Sequence, residues 1–257
     1  MRIAVRAIVI ACVIFAGALI GNTLQALLPS QYLADAKTAI AMIQGLVTLL
    51  LAVVLGLLVW TAYGVHAQQQ SEAHTLGSQI LQLVLAFDRY GPDAAGGREL
   101  LRKELEDTRA RFWGSGEAGV ESISLAQSRA ELRSMDSFFA GLKAATDEQR
   151  AALESARRLS ASVIETHYLM SRQLRNPLPS ALIDVVVLWA AFLFCCVGMA
   201  ATTNIVALTV EFLGAVAVAS AIFLILELSQ PYFGLFRISS EGIDQVIEAL
   251  SAESRAA

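Results

Sequence analysis

Two apolar blocks decide what this chain can fold into. Residues 3–63 carry only three charged side chains (Arg6, Asp35 and Lys37), and residues 180–228 only three (Asp184, Glu211 and Glu227). Residues 64–179, between them, hold 14 of the 19 Lys and Arg and 15 of the 23 Asp and Glu. Each block is long enough for two helices of the roughly 20 residues that a bilayer core requires. Backbone polar groups have no water to bond in lipid, so such runs fold as helices. The pattern predicts an integral membrane protein with one large soluble insertion. With a formal net charge of −4, nothing suggests a nucleic-acid binder.

Four spans follow, and the lipid bilayer is the first partner they imply. The first covers about Ala4–Leu24, where Gly17 and Gly21 give a small-xxx-small spacing that lets another helix approach closely. Leu28-Pro29 ends it. The second covers about Ala39–Tyr63, with Trp60 and Tyr63 suited to the interfacial belt. The third covers about Ser180–Ala201, after the stop signal Asn176-Pro177-Leu178-Pro179. The fourth covers about Ile205–Leu228 and is closed by Pro231. At the N-terminus, Val9-Ile10-Ala11-Cys12 resembles a lipoprotein cleavage box, but the run before it is short and continues unbroken to Ile20. An uncleaved helix is the better reading.

An even number of spans places both termini and the insertion on one side. Short flanks on that side carry Arg2, Arg6, Arg172, Arg175 and Arg237, whereas the opposite loops carry only Lys37. The positive-inside rule then makes that side the cytoplasm. The domains are residues 1–63 (first helix pair), 64–179 (cytoplasmic helical domain), 180–230 (second helix pair) and 231–257 (an amphipathic segment).

The insertion reads as helices throughout, so the whole chain is expected to be all-α. One helix over about Val65–Tyr90 continues the second span directly, and Gly91-Pro92 breaks it. The next covers about Arg98–Trp113, with Leu101, Leu105 and Phe112 on one face. A loop at Gly114–Gly119 precedes a third helix, Ser124–Leu142. Thr146 then caps a fourth that runs toward Tyr168, with Gln149 at the capping-box position. In the C-terminal segment, Glu241, Asp244 and Glu248 oppose Ile243, Val246, Ile247 and Leu250. Its acidic polar face favours packing on protein over anionic lipid.

No Walker loop, HExxH, GxSxG or CxxC is present, so neither an enzyme nor a cofactor is expected. Cys12, Cys195 and Cys196 lie in apolar runs and read as small core residues. His66 and His74 are eight apart on one helix, where a metal or pH-sensing pair competes with two solvated histidines; Gln68, Gln69, Gln70 and Glu72 around them favour solvation. Glu211 is the sharpest single residue, an ionisable group about two turns into the fourth span, near Thr209 and Asn204. It is either a cation-attracting or proton-titrating site, or a carboxylate bonded only structurally or set near the headgroups. Gln44 and Thr48 share a face of the second span and either line an aqueous path or join helices, the second being favoured. The Leu- and Val-rich centre of that span, with Val54, Leu55 and Leu58, could form a hydrophobic constriction.

Several short stretches, in order, resemble a bacterial membrane family labelled bestrophin-like, over about residues 25–250. They are Leu28-Pro29, Val54-Leu55-Gly56-Leu57-Leu58, Tyr90-Gly91-Pro92-Asp93-Ala94 with Arg98 and Leu101-Arg102, then Trp189, Gly198 and Asn204. The run Ala221–Leu228 with Glu227, and Pro231, Gly234-Leu235 and Arg237-Ile238-Ser239-Ser240, complete the pattern. Thr202-Thr203 stand where the family often has Pro-Arg, and Ser229 where it often has a second acid. Glu211 falls at a position that is usually apolar in the family. The resemblance implies a homo-oligomer, by analogy a pentamer, with an ion pore lined by the second span at Gln44, Thr48, Val54, Leu55 and Leu58. It implies a small inorganic ion as the permeant species and carries over no calcium clasp. The alternative is a non-conducting scaffold or sensor whose helical domain binds a protein, motivated by the charged faces of residues 98–111 and 129–158.

Overall fold

The computed structural model describes residues 2–114, 125–174, 180–201, 204–232 and 234–256. Eight α-helices and no strand occur among them: α1 (Arg2–Leu27), α2 (Ser30–Tyr90), α3 (Ala95–Arg109), α4 (Leu125–Gly141), α5 (Asp147–Leu174), α6 (Ser180–Ala200), α7 (Ile205–Leu228) and α8 (Glu241–Ala256). A 3-10 turn, Pro92–Ala94, precedes α3, and a π-turn, Ala110–Gly114, follows it. Most of the expected Gly114–Gly119 loop and the whole of residues 176–179 lie outside the described residues. Four helices are long and apolar enough to cross a membrane. The chain divides into two compact units. One holds residues 1–66 and 178–229, and the other holds residues 67–177 and 230–257.

In the first unit α1 is the hub. It packs along α6 and against α7. The glycines explain the closeness: a methyl group at Gly17 would strike the Ala191 carbonyl, and one at Gly21 the Cys195 carbonyl. Gly198 returns the contact from α6, its absent Cβ lying against the Ala18 carbonyl. Small residues that let backbones touch are the usual substitute for a hydrophobic drive between helices in lipid. Side chains from α2 complete this core: Leu51, Leu58 and Ala62 are buried with Ile14, Ala18, Val186, Ala190, Ile222 and Ile225. Helix α2 begins at Ser30, nine residues ahead of the apolar span expected at Ala39. Hydrogen bonding, not hydropathy, sets where a helix starts. Cys12 is exposed on α1, contrary to its reading as a core residue, because its side of the helix faces away from α6 and α7; Cys196 is buried.

The second unit is a helical core around one face of α2. Leu76, Ile80, Leu83 and Phe87 of α2 pack with Leu101 and Leu105 of α3, Met135 and Phe139 of α4, and Ala152, Ala156 and Met170 of α5. The expected amphipathic segment is α8. It lays Ile243 and Leu250 into this core, with Val246 and Ile247 half-buried beside them. The capping box at α5 forms in both directions. The Gln149 amide N–H donates to the Thr146 hydroxyl at 3.1 Å, and Gln149 Oε1 accepts from the Thr146 and Ala145 amides at 3.4 and 2.9 Å. The helix expected to run to Trp113 instead changes register at Ala110, which brings Trp113 Nε1 to the Ile238 carbonyl at 2.9 Å.

Candidate functional site

The membrane half of α2 has a filled side and an open side. Leu58 is 7% exposed, and Val54 and Leu55 are half-buried against the same core. These three pore candidates therefore face their own protomer's helices. Gln44 is half-buried and Thr48 exposed. The Thr48 hydroxyl donates to the Gln44 carbonyl at 2.7 Å, within α2. The open side is a stripe at three- and four-residue spacing, Met42, Leu46, Leu49, Val53, Leu57 and Trp60, with Val53 69% exposed. Beside it runs a strip of small residues, Ala41, Gly45, Thr48, Ala52 and Gly56, all exposed. Nothing lies within 4 Å of a Cβ built at Gly45 or Gly56.

Glu211 is buried inside the membrane unit, 3% exposed. Its partner is Asn22 of α1, 7% exposed, whose Nδ2 donates to Glu211 Oε2 at 2.9 Å. The other oxygen of each group, Asn22 Oδ1 and Glu211 Oε1, is buried and has no hydrogen-bond partner. The close α1–α6 crossing holds Asn22 in place, since a Cβ at Gly198 would stand 2.9 Å from the Asn22 amide nitrogen. Thr209 and Asn204 serve other ends. The Thr209 hydroxyl donates to the Ile205 carbonyl at 2.8 Å, and Asn204 caps α7 by accepting from the Ala207 amide at 2.8 Å. Asn22 was legible only as an amide within an apolar run; its partner lies 189 residues away.

The remaining family-pattern residues mostly punctuate the chain. Tyr90 is buried, and its carbonyl accepts from Gln149 Nε2 at 3.2 Å. Gly91 ends α2 at φ 105°, a conformation that disfavours any side chain, and Pro92 opens the 3-10 turn. The Pro231 carbonyl accepts from the Ile238 amide at 2.7 Å, closing a turn in which Gly234 has φ 99°. Glu227 is buried in α7. Arg237 is exposed and lines a cavity of about 380 Å³ together with Arg109 and Ser239. Arg109 is ion-paired with Asp244 there. Among the described residues no three His, Cys, Asp or Glu side chains gather as a metal site.

Tyr232, beside this turn, is the most perturbed group outside the spans. Its hydroxyl donates to Gln69 Oε1 at 2.9 Å, and the rings of Phe112 and Trp113 stand 5.1 Å from it. Burial first, and the Glu72 carboxylate second, push its phenol well above the ordinary value. Below a pH of about 10 both folded and unfolded chains keep this proton, and the shift contributes nothing. Above that pH the unfolded chain ionises first, so stability is lost as pH rises. Thermal melts in detergent should fall steeply above pH 10, by about the slope of one proton, and Tyr232→Phe should flatten that limb.

A family model described as Bestrophin-like domain matches residues 12–243. No curated protein and no solved structure matches the chain.

Proposed function

The chain belongs to the bestrophin-like family, and from that premise we propose that it forms a homopentameric ion channel in the bacterial inner membrane, with the pore lined by the open side of α2. The observation that carries the reading is the exposed stripe Met42, Leu46, Leu49, Val53, Leu57 and Trp60, diametrically opposite the buried Leu51 and Leu58. A ring interior must be lined by a face that the protomer does not use for its own core. Six apolar side chains along that face make a hydrophobic constriction, which closes by dewetting and opens when it widens or hydrates.

The flanks of the same helix support ring closure. The small strip Gly45, Thr48, Ala52 and Gly56 lies on one side of the stripe, and the bulky, exposed Ile43 and Leu50 on the other. Large residues of one α2 fit against small residues of the next, which is the head-to-tail contact that generates rings. Arg2, Arg6, Arg172, Arg175 and Arg237 against a lone Lys37 orient the termini and the helical unit toward the cytoplasm. The scaffold reading draws less support. Arg102 on α3 bonds Glu99 at 2.5 and 2.9 Å and Glu106 at 2.5 Å, and these bonds hold Glu99 below the usual carboxylate range. Much of that charged face is thus paired internally.

Particle symmetry of the detergent-purified protein, followed by ion flux in liposomes, tests the proposal. A five-fold ring with α2 on the axis and measurable flux is expected. A monomer or a two-fold dimer with no axial path, or a ring that conducts no small ion across pH and voltage, would overturn it.

A further inference from the structure

We propose that Asn22 and Glu211 form a proton-binding site inside the membrane unit: Glu211 Oε1 holds a proton and donates it to Asn22 Oδ1, closing a two-bonded acid–amide pair between α1 and α7. The site is independent of whether the protein conducts.

An ionised Glu211 has one hydrogen bond, from Asn22 Nδ2 to Oε2, and leaves two buried oxygens facing no donor. It also leaves an unneutralised charge in a span, which costs several kcal/mol. Among the described residues no basic group meets it. The only charged residue of α1 past its first turn is Arg6, sixteen positions back from Asn22 and so about 24 Å along the helix. Glu227 of α7 is equally far, and Asp184 of α6 stands at the opposite end from Gly198. Cys195 and Cys196 are the titratable groups on the α6 turns that pack here, and Asp35 and Lys37 of α2 are exposed. No ion pair reaches Glu211 among the described residues.

One proton taken from water meets each of these deficits. It cancels the charge, gives Oε1 a hydrogen to donate, and gives Asn22 Oδ1 a donor. Among the described residues the buried side chains offer a metal ion only two unbonded oxygens, where calcium-like ions want about six. A bridging water supplies the hydrogen bonds but leaves the charge.

Infrared difference spectra of wild-type minus Glu211→Gln protein, in lipid vesicles at neutral pH and in both light and heavy water, decide the matter. The expected result is a protonated-carboxyl stretching band that is absent from Glu211→Gln and shifted in Asn22→Leu. A difference spectrum holding only ionised-carboxylate bands would overturn the proposal. Glutamine keeps both bonds of the pair, its amide nitrogen donating to Asn22 Oδ1, so Glu211→Gln should melt at the wild-type temperature while Asn22→Leu melts lower. An equal loss in both variants, or a melting temperature that changes when sodium is replaced by choline, would also overturn it.

Discussion

A cysteine at Val53, in a chain whose Cys12, Cys195 and Cys196 are replaced by serine or alanine, should let a charged thiol reagent cut liposomal ion flux to about a tenth or less. That factor corresponds to only about 1.4 kcal/mol of added barrier, a small demand for a charged adduct in an apolar constriction. Val53 is among the most exposed residues of the α2 stripe, and in the proposed ring a thiol there would be reachable from the axis whenever the pore hydrates. Leu58→Cys is the matched control. At 7% exposure it lies in the protomer core, so the reagent should neither label it nor change flux. Block at position 58 with indifference at a labelled position 53 would place the pore on the other side of α2. The lining would then be Val54, Leu55 and Leu58.

Leucine at Gly21 should cost about 1–3 kcal/mol or more, read as a lower melting temperature of the purified protomer, because overpacking cannot be relieved by side-chain motion when the obstacle is backbone. The obstacle here is the Cys195 carbonyl. Leucine at Gly45 is predicted to behave oppositely. A Cβ there meets nothing within 4 Å in the protomer, so melting should be unchanged while the proposed ring falls apart on a sizing column. Equal behaviour of the two glycines would mean that the small strip on α2 is not an intersubunit surface.

Much of the fold could be read from the chain because its signals are local. Four apolar runs, the Gly91-Pro92 break and the Thr146–Gln149 cap each specify their element within a few residues, and each element formed there. The failures share a cause. A span that is apolar all round offers no contrast between its faces, so nothing in residues 39–63 marks Leu58 as inward and Leu57 as outward. Burial in that helix is decided by a core shared with α1, α6 and α7, the last two written more than 100 residues later. The Asn22–Glu211 bond is the extreme case, since either residue alone reads as a polar oddity and only their contact across 189 positions makes a site. The register change at Ala110 is likewise set by where Trp113 can reach Ile238, a tertiary demand that propensity does not encode.

The pairing of α1 with α6 also fixes when this protein can fold. About 170 residues separate Gly21 from its contact on α6, and at typical synthesis rates they take roughly 10–30 s to emerge. Throughout that interval the first helix is already inserted with its glycine face unpartnered, and its asparagine has no acid to bond. Closure of the membrane unit is therefore a late biogenetic event, timed by translation of residues 180–228. A ribosome stalled in the helical insertion would leave in the bilayer a helix with a sticky face, a substrate for quality-control proteolysis.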